Sequence, residues 1–195
     1  MKSLKSFVVL HKKMFLFFSI LFMIGFATGI FLGGSHLEEI KPYVFSFASS
    51  SNHVPNFLFV HLGMLCVGFL FSCILIGIPF LFCIFFYEAL SFGFLFSLMS
   101  ILFFLKGSVY AILYFLIFKA FFVLVLFVFS IKCIKIPEIL FKLKNGDFNE
   151  VHELKHLCLS CAILFTFQFV YDSFLFLFGN HFLSLFSFLL FLSKL

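Results

Sequence analysis

Charged residues are scarce in this chain. Only 11% of its 195 residues are Asp, Glu, Lys or Arg, whereas 64% are hydrophobic, and the mean hydropathy is +1.27. A soluble globular domain of this size has to cover itself with polar groups, so this composition excludes that class. The formal net charge of +5 is too small and too scattered along the chain for a nucleic-acid-binding surface.

The chain also has few of the features that secreted domains and enzymes use. Its six cysteines lie in apolar stretches and at a lysine-rich segment, which predicts reduced thiols rather than a disulfide framework. It contains no phosphate-binding glycine-rich loop, no nucleophile elbow, no dinucleotide fingerprint and no paired catalytic carboxylates. We therefore expect no enzymatic activity and no cofactor.

Long apolar runs predict an all-α integral membrane protein, a single polytopic domain of about five transmembrane helices. The longest run, residues 57–105, contains one fully charged side chain, Glu88. It is too long for one span, so we predict two spans joined by a tight hairpin turn at residues 86–89. Gly77-Ile78-Pro79 offers a place where the first of them would tilt or break. The predicted spans are residues 14–34, 57–86, 89–105, 109–131 and 157–178.

The placement of lysine predicts the topology. Nine of the thirteen lysines lie in the N-terminal segment or in residues 132–156, and the positive-inside rule makes both segments cytoplasmic. The outer loop, residues 35–56, and the C-terminus are then extracytoplasmic. Gly179-Asn180-His181 is expected to interrupt the last span, and the tail, residues 182–195, is too short to cross alone and is predicted to be interfacial or re-entrant.

Glycines predict where helices pack closely. Gly25, Gly29 and Gly33 recur every four residues in the first apolar run. They form a smooth stripe against which a second helix can pack backbone to backbone. In the central run, Gly77, Pro79 and Gly93 are the corresponding candidates. The sequence does not indicate which helix packs on the stripe, and it leaves self-association open.

Three ionisable residues enter the apolar runs: Glu88, Lys119 and Asp172. A charge at the middle of a bilayer costs about 3 kcal/mol or more unless it is paired or hydrated. Glu88 is predicted at the cytoplasmic hairpin turn. Lys119 and Asp172 fall at similar depth in their spans, so we hypothesise that they form a pair. Such a pair would act as interhelical glue or line an ion or substrate path.

Two short motifs suggest metal or redox chemistry. Residues 152–156 read His-Glu-Leu-Lys-His, a literal match to the H-E-x-x-H zinc protease motif. Lys155 inside the motif, the lack of an evident third ligand and the polar context favour a solvated segment instead. Cys158 and Cys161 have C-x-x-C spacing, which would suit zinc or a redox pair. Their position at the start of an apolar helix favours packing.

Two segments have patterns found in a known family. Residues 17–34 contain Gly-Phe-Ala-Thr-Gly at 25–29, and Gly77-Ile78-Pro79 is followed by a Phe- and Ile-rich stretch and by Ser-Phe-Gly-Phe at 91–94. The first segment looks like the first helix of stage II sporulation protein M, and the second resembles the central hairpin of that family. Length, lysine placement and layout also agree, so the resemblance covers nearly the whole chain. One departure is at the hairpin turn, where Glu88 and Ala89 replace the lysine and glycine often found there.

The resemblance implies a non-catalytic membrane scaffold in spore-forming bacteria. Members of that family assemble with two peptidoglycan-degrading partners, stage II sporulation proteins P and D, in the septal membrane of the mother cell during engulfment. The glycine stripe and the outer loop are then the expected contacts. The alternative is a small permease or the membrane subunit of a transporter, in which the broken second span and Lys119 would line a path.

Overall fold

The computed structural model describes residues 12–39, 57–74, 77–145 and 150–191, although not the side chains of 57–58 and 183–191. Within these ranges the chain is almost entirely helical and has no strand. The predicted all-α class is therefore confirmed. The described residues form six helices: α1 (Lys12–Ser35), α2 (Phe57–Ser72), α3 (Gly77–Phe118), α4 (Ala120–Cys133), α5 (Lys135–Lys144) and α6 (Glu150–Phe191).

Four helical stretches of the described chain are long and apolar enough to cross a membrane: Lys12–Ser35, Gly77–Phe118, Ala120–Lys144 and Glu150–Phe182. A shorter apolar helix, Phe59–Ser72, accompanies them. Large apolar side chains stay exposed on their outer faces, for example Phe31 at 75% and Leu177 at 68%. Such a surface is unsuited to water, and the helices are consistent with a multi-pass membrane protein.

Helix α3 folds back on itself at Phe104. This residue has φ 52° and ψ −136°, and it separates a first arm, residues 77–103, from a second arm, residues 105–118. The hydroxyls of Ser100 and Ser108 are 2.8 Å apart across the bend. Farther down, the rings of Phe92 and Phe115 stack with centroids 4.0 Å apart. Residues 23 positions apart in a straight helix would be about 35 Å apart, so the two arms are antiparallel.

The predicted turn at residues 86–89 is wrong, because these residues lie within the first arm of α3. The break comes earlier, between Ser72 at the end of α2 and Gly77 at the start of α3. Proline lacks a backbone N–H, so Pro79 costs little in the first turn of a helix, where that donor has no partner. Gly77-Ile78-Pro79 is thus a helix start, and the boundary between the second and third spans moves towards the N-terminus.

Two further boundaries involve α4 and α6. Helices α3 and α4 are separated only by Lys119, and main-chain hydrogen bonds from Lys119 to Phe115 and from Val123 to Lys119 bridge the break. Helix α6 runs without interruption through residues 179–181 to Phe191, so the predicted interruption there is wrong. Of the other predicted segments, residues 40–56 of the outer loop and the last four residues of the tail lie outside the described residues.

The core lies where α1, α2, α3, α4 and α6 meet. Its largest fully buried apolar side chains are aromatic or leucine and come from four of these helices: Phe18, Leu65, Leu81, Phe122, Leu126 and Phe129. Helix α5 adds Ile136 and Ile139 from one face and directs its charged residues away from the core. This arrangement puts the middle of the bundle out of reach of water, which matters for the polar groups inside it.

Candidate functional site

Several polar side chains are buried in this apolar bundle. Two of the serines satisfy themselves locally: Ser72 donates to the carbonyl of Gly68 at 2.6 Å and Ser130 to that of Leu126 at 2.7 Å. Such bonds within one helix are common and carry no specific chemistry. The remaining buried polar residues with amide or ionisable groups are His61, Glu88, Gln168 and Asp172, each at most 1% exposed. They form the candidate site together with Lys119.

Glu88 and Lys119 form a buried ion pair. Glu88 lies in the first arm of α3, and its carboxylate Oε2 accepts a hydrogen bond from Lys119 Nζ at 2.9 Å. The lysine side chain is 15% exposed and the glutamate 1%. Because an unpaired charge at this depth is costly, the pair locks α3 against the junction with α4.

A second polar group joins α2 to α6. His61 Nδ1 lies 3.1 Å from Asp172 Oδ1, and both side chains are fully buried. The amide of Gln168, one turn before Asp172, donates to the same oxygen at 2.9 Å. The imidazole stacks on Phe122 of α4, with centroids 4.0 Å apart and 9° between the planes. His61 of α2 thus contacts α6 through Asp172 and α4 through Phe122.

Tyr171 connects this group to the helix junction. Its hydroxyl donates a hydrogen bond to the carbonyl of Ile117, two residues before Lys119. Its ring packs on Phe121 with centroids 4.3 Å apart. The ion pair and the His61–Asp172 group therefore both attach to residues 117–122, the stretch in which the helix is broken.

The hypothesis of a Lys119–Asp172 pair is wrong. The structure pairs Lys119 with Glu88 and Asp172 with His61 and Gln168. The hypothesis compared depth along the helices, which the rise per residue provides. It had no means of telling which way each side chain points around its helix. Glu88 was in addition assigned to a turn, which removed the correct partner.

Three residues of the site were missed at the sequence level: His61, Gln168 and Tyr171. A signal for two of them existed. His61 is the only imidazole within the run 57–105, and Gln168 stands four residues before Asp172 in an apolar helix. A polar residue with no water to solvate it needs a protein partner, so each such residue in an apolar run is a candidate for interhelical bonding. Tyr171 had no comparable signal among the other aromatic residues.

The predicted glycines lie at close contacts inside the chain. A Cβ added at Gly25 would be 2.8 Å from the carbonyl oxygen of Phe86, and one at Gly29 would be 2.7 Å from the backbone nitrogen of Phe94. One at Gly33 would be 2.9 Å from the Cβ of Ser97. The stripe on α1 therefore packs on the first arm of α3. Three further positions complete the predicted set: Gly93 meets Phe26, Gly77 meets Ser72, and Pro79 is exposed.

The two motif candidates lie at the start of α6. The rings of His152 and His156 are 4.7 Å apart between centroids and both residues are exposed. Among the described residues, no group of three or more His, Cys, Asp or Glu side chains is placed to hold a metal ion. Cys158 is exposed, whereas Cys161 is buried in the same core cluster as Cys133 of α4. Both thiols are free, so the C-x-x-C pair forms no disulfide in the structure.

The polar site contains buried hydrogen-bond acceptors that lack a donor among the described residues. Glu88 Oε1, Asp172 Oδ2 and Gln168 Oε1 are buried and accept no hydrogen bond from the described residues. Buried acceptors of this kind are suited to taking up a proton, a water molecule or a small cation. The site offers no activated nucleophile. Its groups can cross-link helices or relay charge between them.

Replacing His61 with phenylalanine should isolate the value of the His61–Asp172 bond. The new ring keeps the stacking on Phe122 but cannot donate to Asp172, which stays buried. We expect a loss of about 1–3 kcal/mol in the free energy of unfolding, measured by denaturant titration of the purified protein in detergent. His152→Phe, at an exposed position, is the control. Equal effects of the two changes would contradict a role for the buried bond.

Comparison with known proteins finds no relative. No protein-family model, no curated protein and no solved structure matches this chain.

Proposed function

We propose that this chain is a non-catalytic membrane scaffold that organises peptidoglycan hydrolases at the septum of a spore-forming bacterium. The proposal extends the resemblance to stage II sporulation protein M. The observation that supports it most is that the two segments carrying the resemblance pack on each other. Gly29 of the first segment lies against Phe94 and Gly93 of the second. Segments that resemble one family in two separate places thus form one structural unit.

The proposed topology has about five crossings: α1, α2, the two arms of α3 with α4 continuing the second, and α6. Four of these crossings, an even number, separate the N-terminus from the lysine-rich segment 132–156, so both lie on one side, which the positive-inside rule makes cytoplasmic. The loop 35–56 then faces the cell wall. Membrane-anchored hydrolases resembling stage II sporulation proteins P and D would work on that side.

The partner surface differs from the one expected at the sequence level. The glycine stripe is occupied by α3, so it is not available to a second protein. The outer face of α1 remains open to the membrane, with Leu16, Met23 and Phe31 exposed by 61%, 64% and 75%. We assign partner contacts to this face and to the outer loop.

Affinity purification tests the scaffold. Tagged protein is extracted in detergent from its own host during asymmetric division, and co-purifying proteins are identified by mass spectrometry. We expect membrane-anchored wall hydrolases to be enriched at least tenfold over a control purification of an unrelated multi-pass protein. If no wall hydrolase is enriched, the scaffold proposal is overturned.

The polar site supports a second candidate, the membrane subunit of a transporter or a small permease. Five polar residues converge on a broken helix within an apolar bundle, and residues of this kind often mark ion or substrate pathways. In the same purification, a co-purifying nucleotide-binding subunit would favour this candidate. Transport by the purified protein in vesicles would then depend on Glu88 and Asp172, whereas hydrolase recruitment would not.

A further inference from the structure

A cavity of about 180 Å³ opens between α4, α5 and α6. Its polar lining consists of Lys132 from α4, Lys135 from α5, and Glu153, His156 and Ser160 from α6. This cavity is separate from the buried polar site in residues and in position along the helices. We refer to it as the α4–α6 pocket.

The positive charges of the two lysines in the α4–α6 pocket are not neutralised by ion pairs among the described residues. Among the described residues no ion pair involves Lys132 or Lys135. The neighbouring acids are engaged elsewhere, since Lys142 lies 3.1 Å from Glu138 and 3.3 Å from Glu150. The pocket therefore combines two ammonium groups with one carboxylate, Glu153. A metal cation would be repelled by the lysines, whereas an anion would be attracted.

The position of the pocket is that of a membrane–water interface. Its apolar floor is formed by the buried side chains of Ile131 and Leu157. Helix α4 before it is almost wholly apolar, whereas α5 after it is amphipathic, with two buried isoleucines and charged residues on the other face. The change from apolar to charged residues along this stretch marks the level of the lipid headgroups. Basic pockets between membrane helices at this level suit lipid headgroups.

We propose that the α4–α6 pocket binds the headgroup of a phospholipid that carries an amine. Lys132 and Lys135 contact the phosphodiester, and Glu153 contacts the ammonium group. The ligand's negative and positive groups then match the two signs of charge in the lining. A headgroup ending in glycerol would leave the Glu153 carboxylate facing the phosphate without a compensating cation. The proposal is independent of the scaffold and transporter functions.

Native mass spectrometry of the full chain in detergent tests this binding. The protein is titrated separately with phosphatidylethanolamine, with phosphatidylglycerol of the same acyl chains, and with inorganic phosphate. We expect the ethanolamine lipid to bind roughly fivefold more tightly than the glycerol lipid, as one exposed charge pair would give. Inorganic phosphate should bind far more weakly than either lipid, because it lacks the acyl chains.

Variants identify the residues responsible. Lys132→Gln with Lys135→Gln should weaken binding of both lipids by roughly 30-fold. Glu153→Gln should remove the preference between the lipids and leave binding of the glycerol lipid undiminished. Lys144→Gln is the matched control, because this exposed α5 lysine does not line the pocket. If the double lysine variant does not fold, Lys135→Gln alone, at an exposed position, replaces it.

Three results would overturn the proposal. The first is equal lipid binding by the double lysine variant and by Lys144→Gln. The second is equal affinity of the unmodified protein for the two lipids, which would exclude recognition of the amine. The third is binding of inorganic phosphate as tightly as of lipid, which would make the ligand a soluble phosphate.

Discussion

Replacing Gly29 with leucine should separate α1 from α3 and destabilise the folded protein by about 3 kcal/mol or more. Even a single Cβ at this position would lie 2.7 Å from the backbone nitrogen of Phe94 and 3.0 Å from the Cα of Gly93, and it would meet the carbonyl oxygen of Leu90. These are backbone atoms of the first arm of α3, which cannot rotate away as a side chain could. Overpacking of a rigid contact typically costs about 1–3 kcal/mol or more, and leucine adds three further carbon atoms.

The measurement is the midpoint of thermal unfolding in detergent, followed by circular dichroism at 222 nm, together with the fraction of protein that elutes as a monodisperse peak. Gly34→Leu is the matched control on the same helix, because its nearest neighbour, Ser97 Oγ, would be 4.0 Å from an added Cβ. Equal losses for the two variants would show that helix propensity or expression, and not the α1–α3 contact, limits stability. Gly29→Leu does not distinguish a scaffold from a transporter, because the protein would lose its fold in either case.

Replacing Lys119 with methionine should cost about 3–5 kcal/mol, because it leaves the Glu88 carboxylate buried without its cation. Glu88 is 1% exposed, and its other oxygen accepts no hydrogen bond from the described residues. The double variant Glu88→Met with Lys119→Met should recover most of this loss, since two apolar side chains of similar volume then fill the site without charge. The recovery, rather than the loss alone, demonstrates the pair.

Denaturant titration in detergent provides the free energies for a double-mutant cycle. Lys142→Met is the control, because it removes a lysine that is 42% exposed and paired with Glu138 and Glu150 at the surface of the bundle, a change worth about 1 kcal/mol. Simple addition of the losses of the two single variants at Glu88 and Lys119 would contradict the pair. If the stable double variant still recruits its partners, the role of the Glu88–Lys119 pair is to stabilise the fold. If the double variant is stable but loses transport, the pair belongs to a transport pathway.

The wrong prediction of a turn at residues 86–89 has a physical reason. Glu88 is the only charged residue in a long apolar run, and solvation favours placing such a residue in a turn near water. In the structure the free-energy cost of placing the Glu88 charge among apolar helices is offset by its pairing with Lys119, 31 residues later. Gly77-Ile78-Pro79 was recognised as a break in the chain, but proline is tolerated both at a kink and in the first turn of a new helix. A local pattern does not distinguish those two outcomes.

The amino-acid sequence by itself determined the class of this protein. Its low charge and long apolar runs predict helices in lipid, because a helix satisfies its backbone hydrogen bonds within its own segment. The spacing of Gly25, Gly29 and Gly33 indicated the face of α1 that approaches a neighbour. Both properties are local, since they follow from composition and from the helical repeat.

Only the tertiary structure decided which groups meet. The membrane helices are apolar on every side, so hydrophobic periodicity does not show which face is buried. Depth in the bilayer can be counted along the sequence, but the direction of a side chain depends on how the helices rotate and pack. Shape and charge together determine this direction. The glycine stripe allows α1 to pack closely on α3. Because an unpaired buried charge is costly, Glu88 pairs with Lys119 and Asp172 with His61.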